Sequence, residues 1–550
     1  MRLSRPSLRR FTVPLTVAAV ALAGAVTLSA PAQATTVAPP AAATTALAPR
    51  SSFTMKDDGS SGLTVGGAGI PNIDSVKKTI ATYYNDPGTG IADKVSSPYI
   101  SEMDDVLAHQ ASTLKSAYDA AVRRGQKPAI VFDTDDTTLM TYDMEVADMH
   151  FTFDPAEQDV WVKDERFPAT PGMVDFVKLA ARTGFTVFGL TGRNDDQKDA
   201  TVGNLWKVGY TSFTKARFFT KWTGVGSSQQ PGYITCVAVK CTTVEYKAGT
   251  RKHIEDLGYT ITLNVGDQWS DLMGGYASRT LKLPNPTYYL PSTNLPGLSQ
   301  PQLAPRTHFT MAPDGTSGLT AGGEGIPNID SVKKTIAAYY GDPGTGIADK
   351  VDSPYIRELA QLVARETPRI VQACTAGTRY HTNPAIVLDA DDTTLMTYDM
   401  EVADMHFTFD PVEQDVWVQD QRFPGTPSMA GLAAAAQGAG CTLVGLTGRN
   451  DTQKVATIQN LRKVGVSGFT WNNYYTKWTG LGTSQQPAYI TCAAVKCTTI
   501  EYKSQTRAHI ETTAGGGYDI VGNVGDQFSD LIGGHADRVV KLPNPTYYLP

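Results

Sequence analysis

The chain carries one long text twice. GIPNIDSVKKTIA begins at Gly69 and returns at Gly325, DDTTLMTYDMEVADMHFTFDP begins at Asp135 and returns at Asp391, and LTGRND begins at Leu190 and returns at Leu446. Each return lies 256 residues on (325 − 69, 391 − 135, 446 − 190). KLPNPTYYLP begins at Lys282 and returns at Lys541, 259 residues on (541 − 282), and the three extra residues fall near Gly515-Gly516-Gly517, in an expected loop. A period this long makes each copy a whole domain, not a solenoid turn. A 550-residue chain of this kind is therefore expected to build two like cores.

The boundaries follow from composition. Residues 1–34 read as a secretory signal: Arg2, Arg5, Arg9 and Arg10 precede an apolar stretch, and Ala32-Gln33-Ala34 is a small-x-small cleavage site, with cleavage expected after Ala34. Pro14 and Thr16 interrupt the apolar stretch and it is short for a span, so no membrane anchor is expected. Residues 35–50 are a Pro/Ala/Thr linker expected to be disordered. The first domain spans 51–291, a polar Pro-rich connection spans 292–306, and the second domain spans 307–550, each expected to fold around its own core. Beyond the signal, which holds four Arg and no acid, 44 basic residues (48 − 4) face 54 acidic ones. A net charge of −10 (44 − 54) gives no general attraction to nucleic acid. Oligomeric state is not legible here.

Inside each copy, helical and strand patterns alternate. Residues 97–124, 171–183 and 195–208 read as helices. Ala129–Phe132 is a short apolar run suited to a buried strand, Phe185–Leu190 reads as a second buried strand, and Ile261–Val265 reads as a later strand. The alternation predicts an α/β fold: two tandem Rossmann-like domains, each a mainly parallel sheet flanked by helices. Residues 140–168, with Tyr142, Met144, His150, Phe151, Phe153 and Trp161, leave room only for a small cap, its aromatics divided between core and a rim for the organic part of a ligand. In such sheets ligands bind at the carboxyl ends of the strands.

The polar clusters sit at those ends. Asp133 and Asp135 follow the first strand, Thr191 and Arg193 the second, Lys247 comes next, and Asp267 and Asp271 follow the later strand. The second copy places Asp389, Asp391, Thr447, Arg449, Lys503, Asp526 and Asp530 likewise. Phosphoryl transfer calls for such groups. A carboxylate nucleophile is repelled by a phosphate unless a cation intervenes, and Mg²⁺ is a hard ion that takes oxygen ligands. A lysine neutralises charge that develops in the transition state, and a second carboxyl moves a proton to the leaving group.

The stretches IVFDTDDTTL, LTGRND, VEYKAGTR and NVGDQWSDL, with IVLDADDTTL, LTGRND, IEYKSQTR and NVGDQFSDL in the second copy, resemble the four motifs of the haloacid-dehalogenase (HAD) superfamily, in its acid phosphatase branch with bacterial class B enzymes and plant vegetative storage proteins. The resemblance implies Asp133 and Asp389 as nucleophiles and Asp135 and Asp391 as general acid/base, their backbone carbonyls reaching the metal. It implies Thr191 and Thr447 as phosphoryl-holding groups, Lys247 and Lys503 as neutralising groups, and Asp267 and Asp526 as Mg²⁺ ligands alongside the nucleophiles. Asp271, Asp530, Thr137, Thr393, Arg193 and Arg449 would support them. It further implies a secreted phosphomonoesterase acting on small phosphorylated substrates; a phosphotransferase, or a phosphate- or metal-binding storage or surface protein with residual activity, are the alternatives.

Six cysteines in an exported chain read first as disulfides. Cys236–Cys241 and Cys492–Cys497 are expected from their matched spacing. Cys374–Cys441 is left open, because the corresponding residues of the first copy are Tyr118 and Phe185.

Overall fold

The computed structural model describes residues 52–54, 69–288, 308–310 and 326–547. The expected signal, the 35–50 linker and the 292–306 connection lie outside them. In the first copy the elements run β1 (Ser52–Thr54), α1 (Ile73–Tyr83), α2 (Pro98–Arg123), β2 (Pro128–Phe132), α3 (Pro155–Lys163), α4 (Met173–Thr183), β3 (Thr186–Asn194), α5 (Lys198–Lys207), β4 (Phe218–Lys221), α6 (Thr243–Asp256), β5 (Thr260–Gly266), α7 (Trp269–Leu272) and β6 (Thr280–Lys282). The second copy repeats them as β7 (His308–Thr310), α8 (Ile329–Tyr340), α9 (Pro354–Tyr380), β8 (Pro384–Leu388), α10 (Pro411–Gln419), α11 (Met429–Gly438), β9 (Thr442–Asn450), α12 (Lys454–Lys463), β10 (Tyr474–Lys477), α13 (Thr499–Glu511), β11 (Asp519–Gly525), α14 (Phe528–Leu531) and β12 (Val539–Lys541).

Local chemistry sets these bounds. Ser97 caps α2 by accepting from Ile100 N, Pro98 occupies the first turn, and Gly125 takes a φ of +74° just past the end. The predicted helix over 97–124 is met. The apolar run at β2 is buried along its whole length, as a strand covered on both faces must be.

Each copy holds a five-stranded parallel sheet, ordered β4-β3-β2-β5-β6 and β10-β9-β8-β11-β12. The chain builds outward from β2 on one side and then returns to its other side. The crevice at the carboxyl ends of β2 and β5 is thus a topological switch point, where open α/β sheets bind ligands. The edge strands β4 and β6 were not foreseen; four and three residues are too short to carry a pattern.

The two-residue period of β2 sends Ala129 and Val131 to one face and Ile130 and Phe132 to the other. The first face packs with Tyr246 and Ile254 of α6 in a cluster confined to its own copy. The second joins a large cluster that includes Ile326, Ile329, Val332 and Ile336 of the other copy. The expectation of separate cores gives way here: the patterning that buries both sheet faces cannot say which copy covers one of them. The strands β1 and β7 pair antiparallel across the copies. At the N-terminus of α1, Ile73 N donates to Pro545 O at 3.0 Å, and at that of α8, Ile329 N donates to Pro286 O at 3.0 Å.

All six cysteines are paired, as Cys236–Cys241, Cys492–Cys497 and Cys374–Cys441. The last joins α9 to the residue before β9. No helix among the described residues is long and apolar enough to cross a membrane.

Candidate active site

Asp133 lies one residue beyond β2, and its N–H donates to Val265 O at 3.0 Å, which ties it to the end of β5. Lys247, on the first turns of α6, donates to Asp133 Oδ1 at 2.7 Å and to Asp271 Oδ1 at 2.5 Å. All three are nearly sealed from solvent. In the second copy Lys503 lies 3.0 Å from Asp389 Oδ1, an ion pair, and donates to Asp530 at 2.5 Å.

Asp267 is oriented by four donors. Thr137 Oγ1 reaches its Oδ1 at 3.2 Å; Gln268 Nε2, Asn285 Nδ2 and Tyr288 OH reach Oδ2 at 2.8, 2.8 and 3.1 Å. Asp526 is held the same way by Thr393, Gln527, Asn544 and Tyr547. Asp271 has both oxygens engaged, by Lys247 and by Gln268 N. It braces the pair formed by Asp133 and Asp267.

One carboxylate oxygen from each of Asp133, Asp267 and Asp271 falls within 4.8 Å of the others, and Asp389, Asp526 and Asp530 repeat the cluster. Burial pushes the Asp133 carboxyl well above the usual range, with Asp271 adding to the rise and Lys247 opposing it. Asp526 is pushed up to about 6, first by burial and then by Asp530. Burial would lower Lys247, but Asp133 and Asp271 outweigh it and hold the ammonium charged. Two buried carboxyls that resist ionising together, with oxygen ligands only, fit a hard divalent cation.

Asp135 stands apart from that cluster. Arg193 grips it from Nη2 at 2.6 Å and from Nε at 3.1 and 3.2 Å, while its Nη1 donates to Thr201 at 3.1 Å and the guanidinium sits 4.6 Å from the Phe167 ring centroid. Arg449 holds Asp391 likewise. Thr191 is fully buried within β3, three residues before its end; its hydroxyl accepts from Arg193 N at 3.2 Å and its carbonyl from Tyr246 OH at 3.0 Å. Gly192 and Arg193 line the cavity beside it. Thr447 repeats the contact with Arg449.

The first cavity measures about 380 Å³ and the second about 640 Å³. Met144 and Phe153 of the cap line the first, whereas His150 is exposed, with Nδ1 at Val146 O, and Trp161 donates to Asp148.

A family model described as "HAD superfamily, subfamily IIIB (Acid phosphatase)" matches residues 88–291 and 325–550. The chain belongs to this subfamily. The chain is 33% identical over 169 residues to "Acid phosphatase 1" of Solanum lycopersicum, covering 29% of this chain and 58% of that one. It is 34% identical over 140 residues to the "Stem 28 kDa glycoprotein" of Glycine max (25% and 50% covered), and 31% identical over 165 residues to "Vegetative storage protein 1" of Arabidopsis thaliana (30% and 55% covered). The chain thus spans about half the length of the curated relatives it matches. The class C acid phosphatase from Bacillus anthracis aligns with a TM-score of 0.28 at 22% identity, covering 39% of this chain and 86% of that one.

Around this subfamily IIIB site stand residues that the sequence did not single out. Asp136, at φ +46°, is buried and accepts from Thr141 and Asn285; burial and then Asp267 push it up to about 8. Glu145 and Glu401 are buried in the cavity walls, with no hydrogen-bond partner for their carboxyls among the described residues. Burial raises both strongly. The last Asp of DTDD and the recurrence of KLPNPTYYLP were visible signals for Asp136 and Asn285. Nothing local marks Glu145.

Proposed function

We propose that each copy is a phosphomonoesterase with its own aspartate nucleophile, and that the chain acts after export on small phosphorylated substrates. The Asp133–Lys247–Asp271 arrangement at the sheet's switch point, present again around Asp389, is the observation that carries the reading. Asp133 attacks phosphorus as the ester bond to the leaving oxygen breaks, and Asp135 supplies the proton that makes the leaving group an alcohol. The resulting aspartyl-phosphate is hydrolysed by water, whose proton returns to Asp135, releasing inorganic phosphate and restoring Asp133. Lys247 holds the attacking oxygen and offsets the charge on the phosphoryl group. Arg193 fixes where Asp135 can reach.

The ion this site would take is Mg²⁺, on Asp133 and Asp267 in one copy and Asp389 and Asp526 in the other, with the carbonyls of Asp135 and Asp391 as further ligands. When bound it lets an anionic nucleophile approach an anionic phosphate. Pairing of all six cysteines supports an oxidising compartment. The test is turnover of p-nitrophenyl phosphate before and after exhaustive chelation. Chelation should remove nearly all activity and Mg²⁺ should restore it. Full activity in the chelated protein overturns the metal assignment, and no activity with metal present overturns the phosphatase reading.

A further inference from the structure

The first helix of each copy reaches the site of the other copy at two points. At its N-terminus, Asn72 caps α1 and donates from Nδ2 to Asn544 O at 3.2 Å and Tyr547 O at 2.6 Å. Those carbonyls belong to the turn whose side chains, Asn544 and Tyr547, hold Asp526. The return contact is made by Asn328, which caps α8 and donates to Asn285 O at 3.2 Å and Tyr288 O at 2.5 Å, behind Asp267.

Farther along the same helices, Lys77 Nζ donates to Phe407 O in the second copy's cap, and Lys333 Nζ donates to Phe151 O in the first copy's cap. The carbonyls they hold sit at strained places. Phe407 and His406 have φ of +62° and +50°, and Phe151 and His150 have +61° and +49°. Paired left-handed conformations at residues other than glycine persist only where surrounding contacts enforce them. Phe407, Thr408 and Phe409 line the second cavity together with Asp74 and Lys77, and Asp330 lines the first.

We propose that each site is assembled in trans: the first helix of one copy latches the cap, and braces the metal-side turn, of the other. Lys77 and Lys333 are positioning residues for the cap, and leaving-group binding in each site is a property of both copies. The ties recur in both directions, as an isologous contact between two like halves requires. The inference rests on the phosphatase reading only where turnover is its readout.

The test uses full-length chains in which one site works. With Asp133→Asn only the second site turns over, and with Asp389→Asn only the first. Lys77→Met should raise KM for p-nitrophenyl phosphate at least fivefold more in the Asp133→Asn chain than in the Asp389→Asn chain, with kcat within about threefold. Lys333→Met should show the opposite preference. Hydrogen exchange supplies an arm that needs no catalysis. Lys77→Met should speed exchange in the 405–409 segment and Lys333→Met in the 149–153 segment, each leaving the other segment unchanged. Effects confined to the copy that carries the change, or equal in both copies, overturn the proposal. If neither parent chain turns over substrate, the phosphatase reading fails and the exchange pattern still decides this one.

Discussion

The two copies keep their catalytic geometry and diverge around it. The Arg193–Asp135 contact is 2.6 Å and its counterpart Arg449–Asp391 2.5 Å, and the Lys–Asp brace is 2.5 Å in both. Around those groups the solutions differ. Where Tyr118 and Phe185 pack edge to face with centroids 5.2 Å apart, the second copy has the Cys374–Cys441 bridge. Where Arg279 meets Thr113, Arg538 meets Glu366, which also pairs with Arg365 and Arg369. Trp269 is 2% exposed, whereas Phe528 is 38% exposed. A helix must be tied to the sheet at each of these places, and ring packing or a covalent link serves. The acidic, basic and hydroxyl groups gathered at the strand ends are the same in both copies, while Thr134 and Trp269 beside them give way to Ala390 and Phe528.

The sharpest way to break the comparison is to silence one copy at a time. Asp133→Asn and Asp389→Asn should each leave the other site's turnover of p-nitrophenyl phosphate, and the double variant should lose about 10³-fold or more, because an amide keeps the shape but is a far poorer nucleophile. A single change that abolishes all turnover would show that only one copy works.

The next effect is on stability. Cys374→Ala with Cys441→Ala reopens a link spanning 67 residues, worth about 4 kcal/mol in the chain-entropy model. Thermal unfolding should show a lower transition, and reductant should lower it further in the wild type than in the variant. Tyr118→Ala, which removes the first copy's ring contact from a partly buried position, should cost about 1–2 kcal/mol.

A smaller effect concerns the buried cap glutamates. Burial raises the folded-state pKa of Glu145 above its ordinary 4.5, so the folded state holds a proton that the unfolded state gives up. Stability is therefore lost as pH rises above about 4.5. Glu145→Gln and Glu401→Gln should raise Tm by at least about 2 °C at pH 7, and by nothing near pH 4, in unfolding scans across that range.

The smallest separates the copies at one atom. Thr134 Oγ1 is buried without a partner, and Ala390 occupies its place in the second copy. Thr134→Ala should leave stability unchanged or improve it by up to about 1 kcal/mol, while Ala390→Thr should cost about 1–2 kcal/mol by denaturant titration.

How much was legible in the sequence follows from where each signal lives. Strand β2 is an apolar run and β5 carries Ile261, Leu263 and Val265 at alternate positions, each followed closely by acids, and β3 runs into Thr-Gly-Arg, so fold class and motif residues could be read together. Asp136 and Asn285 lay within repeats that were noticed, but their roles depend on contacts 149 residues apart. Glu145 sits in a π-turn over Met144–Asp148 that has no pattern of its own. The shared core escaped because an amphipathic helix such as α1 declares that one face is buried, not what buries it.

The ties by which α1 and α8 each reach into the opposite copy have a consequence for mass action. Two separate subunits that completed each other's sites would lose both when diluted below their dissociation constant. Here the halves are one polypeptide, and tethering gives the kind of effective concentration, on the order of millimolar for short flexible links, that bulk dilution does not change. Tethered in this way, the two halves stay together at dilutions where a reversible dimer of the same halves would be mostly apart.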